Sequence, residues 1–131
     1  MHAVKEDTEL HVVVPNDPGI LGRVLGTMAN AGVNVKAMCV SSEGDRGHFL
    51  LVTDNYRKAQ TALKSLRYKV MLNKVVTVAV TDRIGAGAEF GALLGNAVIN
   101  ILYAYGSSGG AGQSLLVFHT NNNKRALETL R

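Results

Sequence analysis

A single cysteine, two prolines, no tryptophan and only seven phenylalanines and tyrosines together occur in 131 residues. One cysteine, Cys39, excludes an intramolecular disulfide and fits a reducing compartment. No apolar run approaches the roughly 18 residues that span a bilayer, and the opening "MHAVKEDTEL" carries no apolar targeting segment. The expectation is a soluble, cytoplasmic protein with no membrane partner. Charge excludes little, because the net value is only +4 and the basic residues are scattered. Their short clusters, Arg57 with Lys58 and Lys124 with Arg125, fall inside helical patterns and read as solvated helix faces. Catalytic groups are sparse too. His2, His11, His48 and His119 have no cysteine or carboxylate at metal-ligand spacing, and no acid–base pair emerges. Cys39 lies in an apolar strand and reads as a small core residue. Neither a metal, a cofactor nor an enzymatic activity is expected.

What the chain does contain is a repeat. "VPNDPGILGRVLGTMANAGVNVKAMCV", residues 14–40, returns as "VTDRIGAGAEFGALLGNAVINILYAYG", residues 80–106. With Asn34 set on Asn100, Val14 meets Val80, Gly19 meets Gly85, and Asn30 meets Asn96. Farther on the offset grows by one residue, so that Lys58 and Ala59 meet Arg125 and Ala126. Repetition settles architecture before any local detail does. Leu10, Val12 and Val14 alternate with His11 and Val13, as Val76, Val78 and Val80 do with Thr77 and Ala79, which predicts strands with one better-buried face. Ile20, Leu21, Val24, Leu25 and Met28 then recur at helical spacing, echoed by Phe90, Leu93, Leu94 and Ala97. Second strands follow, over 34–42 and 100–107. The turns "EGDRG" and "SSGGAG" lead to third strands "HFLLVT" and "SLLVFHT". Second helices carry Ala59, Ala62, Leu63 and Leu66 in one copy, Ala126 and Leu130 in the other.

The fold class expected is α+β: two ferredoxin-like βαββαβ modules in tandem, with antiparallel sheets and the helices on one face. The modules span 8–73 and 74–131. The first ends on a fourth strand, "YKVML", whereas the second lacks its last strand. The connection "LNK" is too short for a flexible linker, so that fourth strand should run nearly straight into the next module. The missing strand should leave residues 75–80 with a bare edge, which predicts a homodimer. Two copies of about 65 residues are each barely self-sufficient, so the sheet face away from the helices is the surface expected to be shared.

The loop between first strand and first helix carries the chemistry. Asp17 is suited to capping the helix, Pro18 to its first turn, and Gly19 to a sharp change of direction. Backbone N–H groups then point outward at the positive end of a helix dipole, where a carboxylate is a natural occupant. A well-capped helix between two strands explains the same residues, as a simple turn explains Asn34.

A strand ending in Asn-Asp-Pro-Gly-Ile-Leu, a helix ending Ala-Asn-Ala-Gly and then Val-Asn-Val resembles the ACT domain, a small regulatory amino-acid-binding module. "NAVINILYAYG" resembles the second half of tandem ACT proteins, and the likeness covers residues 8–131. The resemblance implies that an amino acid binds where this loop meets the second strand of a neighbouring module. It places the ligand on Asn16, Asp17, Pro18, Gly19, Ile20 and Leu21, with Asn34 and Val35. In the second copy the matching positions are Asp82, Arg83, Ile84, Gly85, Ala86 and Gly87, with Asn100 and Ile101. Ile84 stands where proline is usual, and glycines at 85, 87, 91 and 95 weaken the helix, which puts this second site in question.

Two rival readings compete with this one. "GAGAEFG" imitates a dinucleotide-binding loop, but no Asp or Glu lies between Glu89 and Glu128 to hold a ribose, and a hairpin follows instead of a crossover. RNA-recognition modules share the strand order, and "RGHFLLV" faintly resembles their third-strand motif. Phe49 is its lone aromatic, however, and a stacking platform needs several. Tyr103 and Tyr105 share a strand face and read as packing residues, with Tyr103 able to line a ligand pocket. The function expected is non-catalytic regulation by an amino acid or a similar small molecule, allosteric, with a regulated enzyme as a possible partner. The alternatives are an RNA-binding module and a pure assembly subunit without ligand.

Overall fold

Alternating valines build the first strand, but that strand starts well before them. The computed structural model describes residues 2–108 and 111–131. Its elements are β1 (His2–Pro15), α1 (Ile20–Asn30), β2 (Val35–Glu43), β3 (Arg46–Thr53), α2 (Tyr56–Lys64), β4 (Lys69–Thr81), α3 (Ala86–Asn96), β5 (Ile101–Ser108), β6 (Gln113–Thr120) and α4 (Asn123–Leu130). Hydrogen bonds order the strands β2-β3-β1-β4-β6-β5. The βαββαβ tandem expected from the repeat is therefore present. The "SSGGAG" turn includes residues 109 and 110, which lie outside the described residues. Two compact units result: Thr8–Asn73, and Lys74–Arg131 together with Met1–Asp7.

In the Thr8–Asn73 unit, Leu10, Val12 and Val14 of β1 join Phe49 and Leu51 of β3 beneath Val24 and Met28 of α1 and Ala59 and Leu63 of α2. Burying each such large side chain stabilises by about 1.5–3 kcal/mol. Pairs such as Leu10 with Leu51 and Val12 with Phe49 fix the register, because a slip of one residue would turn the apolar set outward. In the other unit Val76, Val78 and Val80 pack with Phe118, Phe90, Leu94, Ala126 and Leu130. Leu21 and Leu93, expected on the buried helix stripes, are instead exposed. Cys39 is half-buried and lies outside both clusters.

The bare edge does not exist. β1 is the hydrogen-bonded neighbour of β4, and its segment through Asp7 belongs to the unit of Lys74–Arg131. Val4 packs on that unit's core. The His2 ring stands edge-on to Phe90 with centroids 5.2 Å apart, and its Nε2 lies 2.9 Å from the Leu130 carbonyl oxygen. The first part of β1, through Asp7, takes the place beside β4 that a fourth strand of the second copy would hold. The argument for a homodimer from an unpaired β4 edge is thereby removed. As the short connection implied, β4 is one uninterrupted strand of 13 residues.

Of the two non-glycine residues with positive φ among the described residues, Arg67 and Val98, the β-branched one is held most against its preference. Val98 has φ 57°, the left-handed region, where its repeat partner is Gly32 at φ 75°. A β-branched side chain there costs about 1–2 kcal/mol. Val98 is 83% exposed, so glycine would forfeit almost no burial. Val98→Gly is expected to raise stability by about 1 kcal/mol, read as a higher urea midpoint at unchanged m-value. A lower midpoint would show that the left-handed turn carries no strain.

Candidate functional site

Both prolines of the chain flank the β1–α1 loop: Pro15 ends β1 and Pro18 enters the turn before α1. The turn differs from the one expected. Ile20 N–H donates to the Asp17 carbonyl at 3.2 Å, with Gly19 at φ 84° and ψ −2°. This is a type II β-turn with Pro18 at its second position and glycine at the third, where φ must be positive. Gly19, not Asp17, is the N-cap residue, and no side chain caps α1. The first-turn amides consequently keep no side-chain acceptor. Ile20 N–H is taken by Asp17 and Arg23 N–H by the Gly19 carbonyl. The amides of Gly19, Leu21 and Gly22 have no acceptor among the described residues. Three open donors and a helix N-terminus converge there, and no acidic residue stands in the first turn.

The loop is pinned from behind. Asn16 N–H donates to the Asp45 carbonyl at 2.9 Å, and its Nδ2 to the Gly44 carbonyl at 3.3 Å.

The second copy makes the same turn without proline. Ala86 N–H donates to the Arg83 carbonyl at 3.2 Å, Gly85 takes φ 86°, and Ile84 stands fully exposed at the proline's place. Gly85 is therefore the N-cap required by the turn and lies outside the helix it was expected to weaken. Asp82 N–H donates to the Gly112 carbonyl, as Asn16 does to Asp45. Gly87 sits inside the first turn of α3. Charge is what distinguishes the two loops. Arg83 pairs with Glu89 of the first turn, and its hydrogen bond and charge hold the Glu89 carboxyl below its ordinary value. The corresponding pair in the first copy is reversed, Asp17 with Arg23, and no ion pair joins them among the described residues. An incoming carboxylate meets Glu89 at one loop and no acid in the first turn at the other.

Asn34 and Asn100 lie elsewhere. Each precedes a second strand, at the end of α1 or α3 away from its loop, and 11 helical residues place those ends roughly 16 Å apart. Within one unit, Asn34 and Val35 are not brought to Gly19, nor Asn100 and Ile101 to Gly85. Their backbones have a structural part instead. Asn34 N–H donates to Asp54 Oδ1 at 3.0 Å while its carbonyl accepts Asp54 N–H. Asn100 and Asn121 repeat this clamp. Asp54 and Asn121 escaped the sequence reading, although the repeat aligns them. Both second strands then break register, between Val35 and Ala37 and between Ile101 and Tyr103. Such bulges re-aim side chains at a strand's start.

The remaining candidates resolve into packing. Phe49 is 1% exposed in the helix-covered core, so no base can stack on it. Tyr103 stacks on His119 with centroids 4.8 Å apart, and His119 Nδ1 lies 2.9 Å from the Lys74 carbonyl oxygen. His11 Nε2 faces His48 Nδ1 at 3.0 Å. Burial first, then the charges of His48 and Lys69, push the His11 pKa below its ordinary value against the pull of Glu9. Among the described residues no group of three or more His, Cys, Asp or Glu is placed to hold a metal ion, and no helix is long and apolar enough to cross a membrane.

Solved structures share the fold. A protein of Bacteroides thetaiotaomicron aligns with TM-score 0.88 at 24% identity, over 97% of this chain and 88% of its own. The regulatory subunit of aspartate kinase from Thermus thermophilus, in its ligand-free form, aligns with TM-score 0.75 at 17% identity, over 98% and 93%. The corresponding subunit from Thermus flavus gives 0.71 at 17%, over 98% and 94%. At these identities the likeness is one of fold. Among curated proteins none matches this chain in sequence. The family model described as an ACT domain pair matches residues 6–130, nearly the full length, and the chain belongs to that family.

Proposed function

We propose that this protein is a non-catalytic regulatory module that binds a free amino acid at the β1–α1 loop of its first copy. The observation that carries the reading is the loop itself: three amides without acceptors at a helix N-terminus that has no acidic residue in its first turn. The ligand carboxylate docks on the Gly19, Leu21 and Gly22 amides. Its remaining atoms meet the second strand of a neighbouring module, at residues matching Asn34 and Val35. Binding favours one arrangement of modules over another by no more than its differential affinity for the two. A regulated enzyme is the partner class this mechanism requires, in line with the aspartate kinase subunits that share the fold. The second loop, closed by Arg83 and Glu89, is the weaker site.

A homodimer remains part of the proposal on different grounds. β2 and β5 are the end strands of the hydrogen-bonded order and expose Met38, Val40, Ile101 and Leu102. Apolar edge strands invite pairing with a second chain. The lone half-buried Cys39 suits a reducing cytoplasm.

About ten heavy atoms, at a ceiling near 1.5 kcal/mol each, leave ample room for micromolar affinity of about −8 kcal/mol. Titration calorimetry with each amino acid at millimolar concentration is expected to show heat for one or a few of them. Silence across the set would favour the assembly subunit without ligand.

A further inference from the structure

Beside the loop, on the Thr8–Asn73 unit, lies a cavity of about 350 Å³ lined by Val13, Val14, Pro15, Asp45, Arg46 and Lys69. Its size is at the low end of small-molecule sites. Three of the six lining residues are charged, and none is ion-paired among the described residues. Arg46 opens β3 opposite Pro15, Lys69 opens β4, and Asp45 sits in the turn whose carbonyl accepts Asn16 N–H. The Asp45 backbone is thus fixed while its carboxylate is left over.

The second copy provides an internal comparison. Thr81 pairs with Gln113 as Pro15 pairs with Arg46, and Gly112 accepts from Asp82 as Asp45 accepts from Asn16. Backbone register and hydrogen bonding are the same, yet Asp45 and Arg46 are replaced by Gly112 and Gln113. Nothing in the fold demands the two charges. Arg46 and Lys69 set two positive charges against the single negative charge of Asp45, so the lining keeps a surplus positive charge that an anion would offset.

We infer that this cavity is a second ligand site, for a small amino dicarboxylate. Arg46 takes one carboxylate through its planar fork, Lys69 takes the other, and Asp45 accepts from the ammonium. Two cations and one anion complement a ligand carrying two carboxylates and one ammonium, net charge −1. A neutral amino acid leaves one cation unmatched, and a plain dicarboxylate leaves Asp45 facing an anion's carbon chain. The site does not rest on the loop reading, since none of the Gly19, Leu21 and Gly22 amides takes part.

Amide shift perturbation on the full chain tests it, with L-glutamate, glutarate and L-leucine as probes. Glutamate is expected to shift the amides of Asp45, Arg46 and Lys69. Arg46→Gln should weaken glutamate and glutarate by about tenfold or more. Asp45→Asn should weaken glutamate and spare glutarate. All the exchanged side chains are exposed, so both variants should fold. Glutamate shifts confined to 17–22 would overturn this inference while supporting the loop site. Shifts at 45, 46 and 69 would support it whether or not residues 17–22 also shift. Unchanged affinity in Arg46→Gln, or no shifts at all, would overturn it.

Discussion

Deleting residues 2–7 is expected to destabilise the unit of Lys74–Arg131 by several kcal/mol and to make the protein self-associate. The segment contributes Val4 to the core, the His2 ring against Phe90, and a hydrogen bond between His2 Nε2 and the Leu130 carbonyl. Partial burial of one valine, about 1 kcal/mol for that hydrogen bond and the backbone pairing of β1 with β4 together amount to roughly 3–5 kcal/mol. The loss would also bare β4, whose residues 75–78 are all buried. A valine-rich strand with free N–H and C=O groups is a template for another chain. Hydrogen exchange at the β4 amides that β6 leaves over should accelerate, and light scattering should show species heavier than those of the intact 14.0 kDa chain. Exchange unchanged in β4 after the deletion would mean that something other than the amino terminus closes that edge.

That segment also marks where the sequence stopped being legible. "HAVKEDT" has one inward apolar residue, Val4, among charged neighbours, so no alternating pattern announces a strand. Its pairing is set by a strand some 70 residues away, and local pattern carries no trace of that. Residues 69–81 were readable by contrast, because apolar residues continue across a connection too short to bend. The loop was half readable. Asn-Asp-Pro-Gly signals both a capped helix and a type II turn, and tertiary bonds from Asn16 to the turn at Gly44 and Asp45 favour the second. The function of Ile84 could be judged only once its turn was visible. Lacking proline's preset φ, Ile84 still occupies the second position of the same turn, since Gly85 supplies the positive φ that the turn requires. Asn34 matched a family pattern, yet its backbone clamps Asp54, a partner that no short motif contains.

The largest effect on binding is expected from Gly19→Val. Gly19 has φ 84°, where a β-branched residue costs about 1–3 kcal/mol. Apart from its two chain neighbours, a Cβ added there meets no atom within 4 Å, so no clash with another part of the fold confuses the result. Two routes remain, and both act on the ligand. Relief of the strain re-aims the Gly19 amide, and the new methyl groups enter the space where the carboxylate docks on the other donors. Losing two charge-assisted hydrogen bonds at about 1.5–3 kcal/mol each would weaken binding by about 100-fold or more. Gly85→Val is the matched control, with φ 86° and an equally open Cβ position. Both variants should lose similar stability in urea, because both force valine into the same turn. Only Gly19→Val should lose the calorimetric signal of the amino acid that binds the intact protein, since the Gly85 loop already holds the Arg83–Glu89 pair. Equal losses of affinity in the two variants would mean that both loops bind ligand. Binding retained in Gly19→Val and lost in Gly85→Val would reverse the assignment of the site.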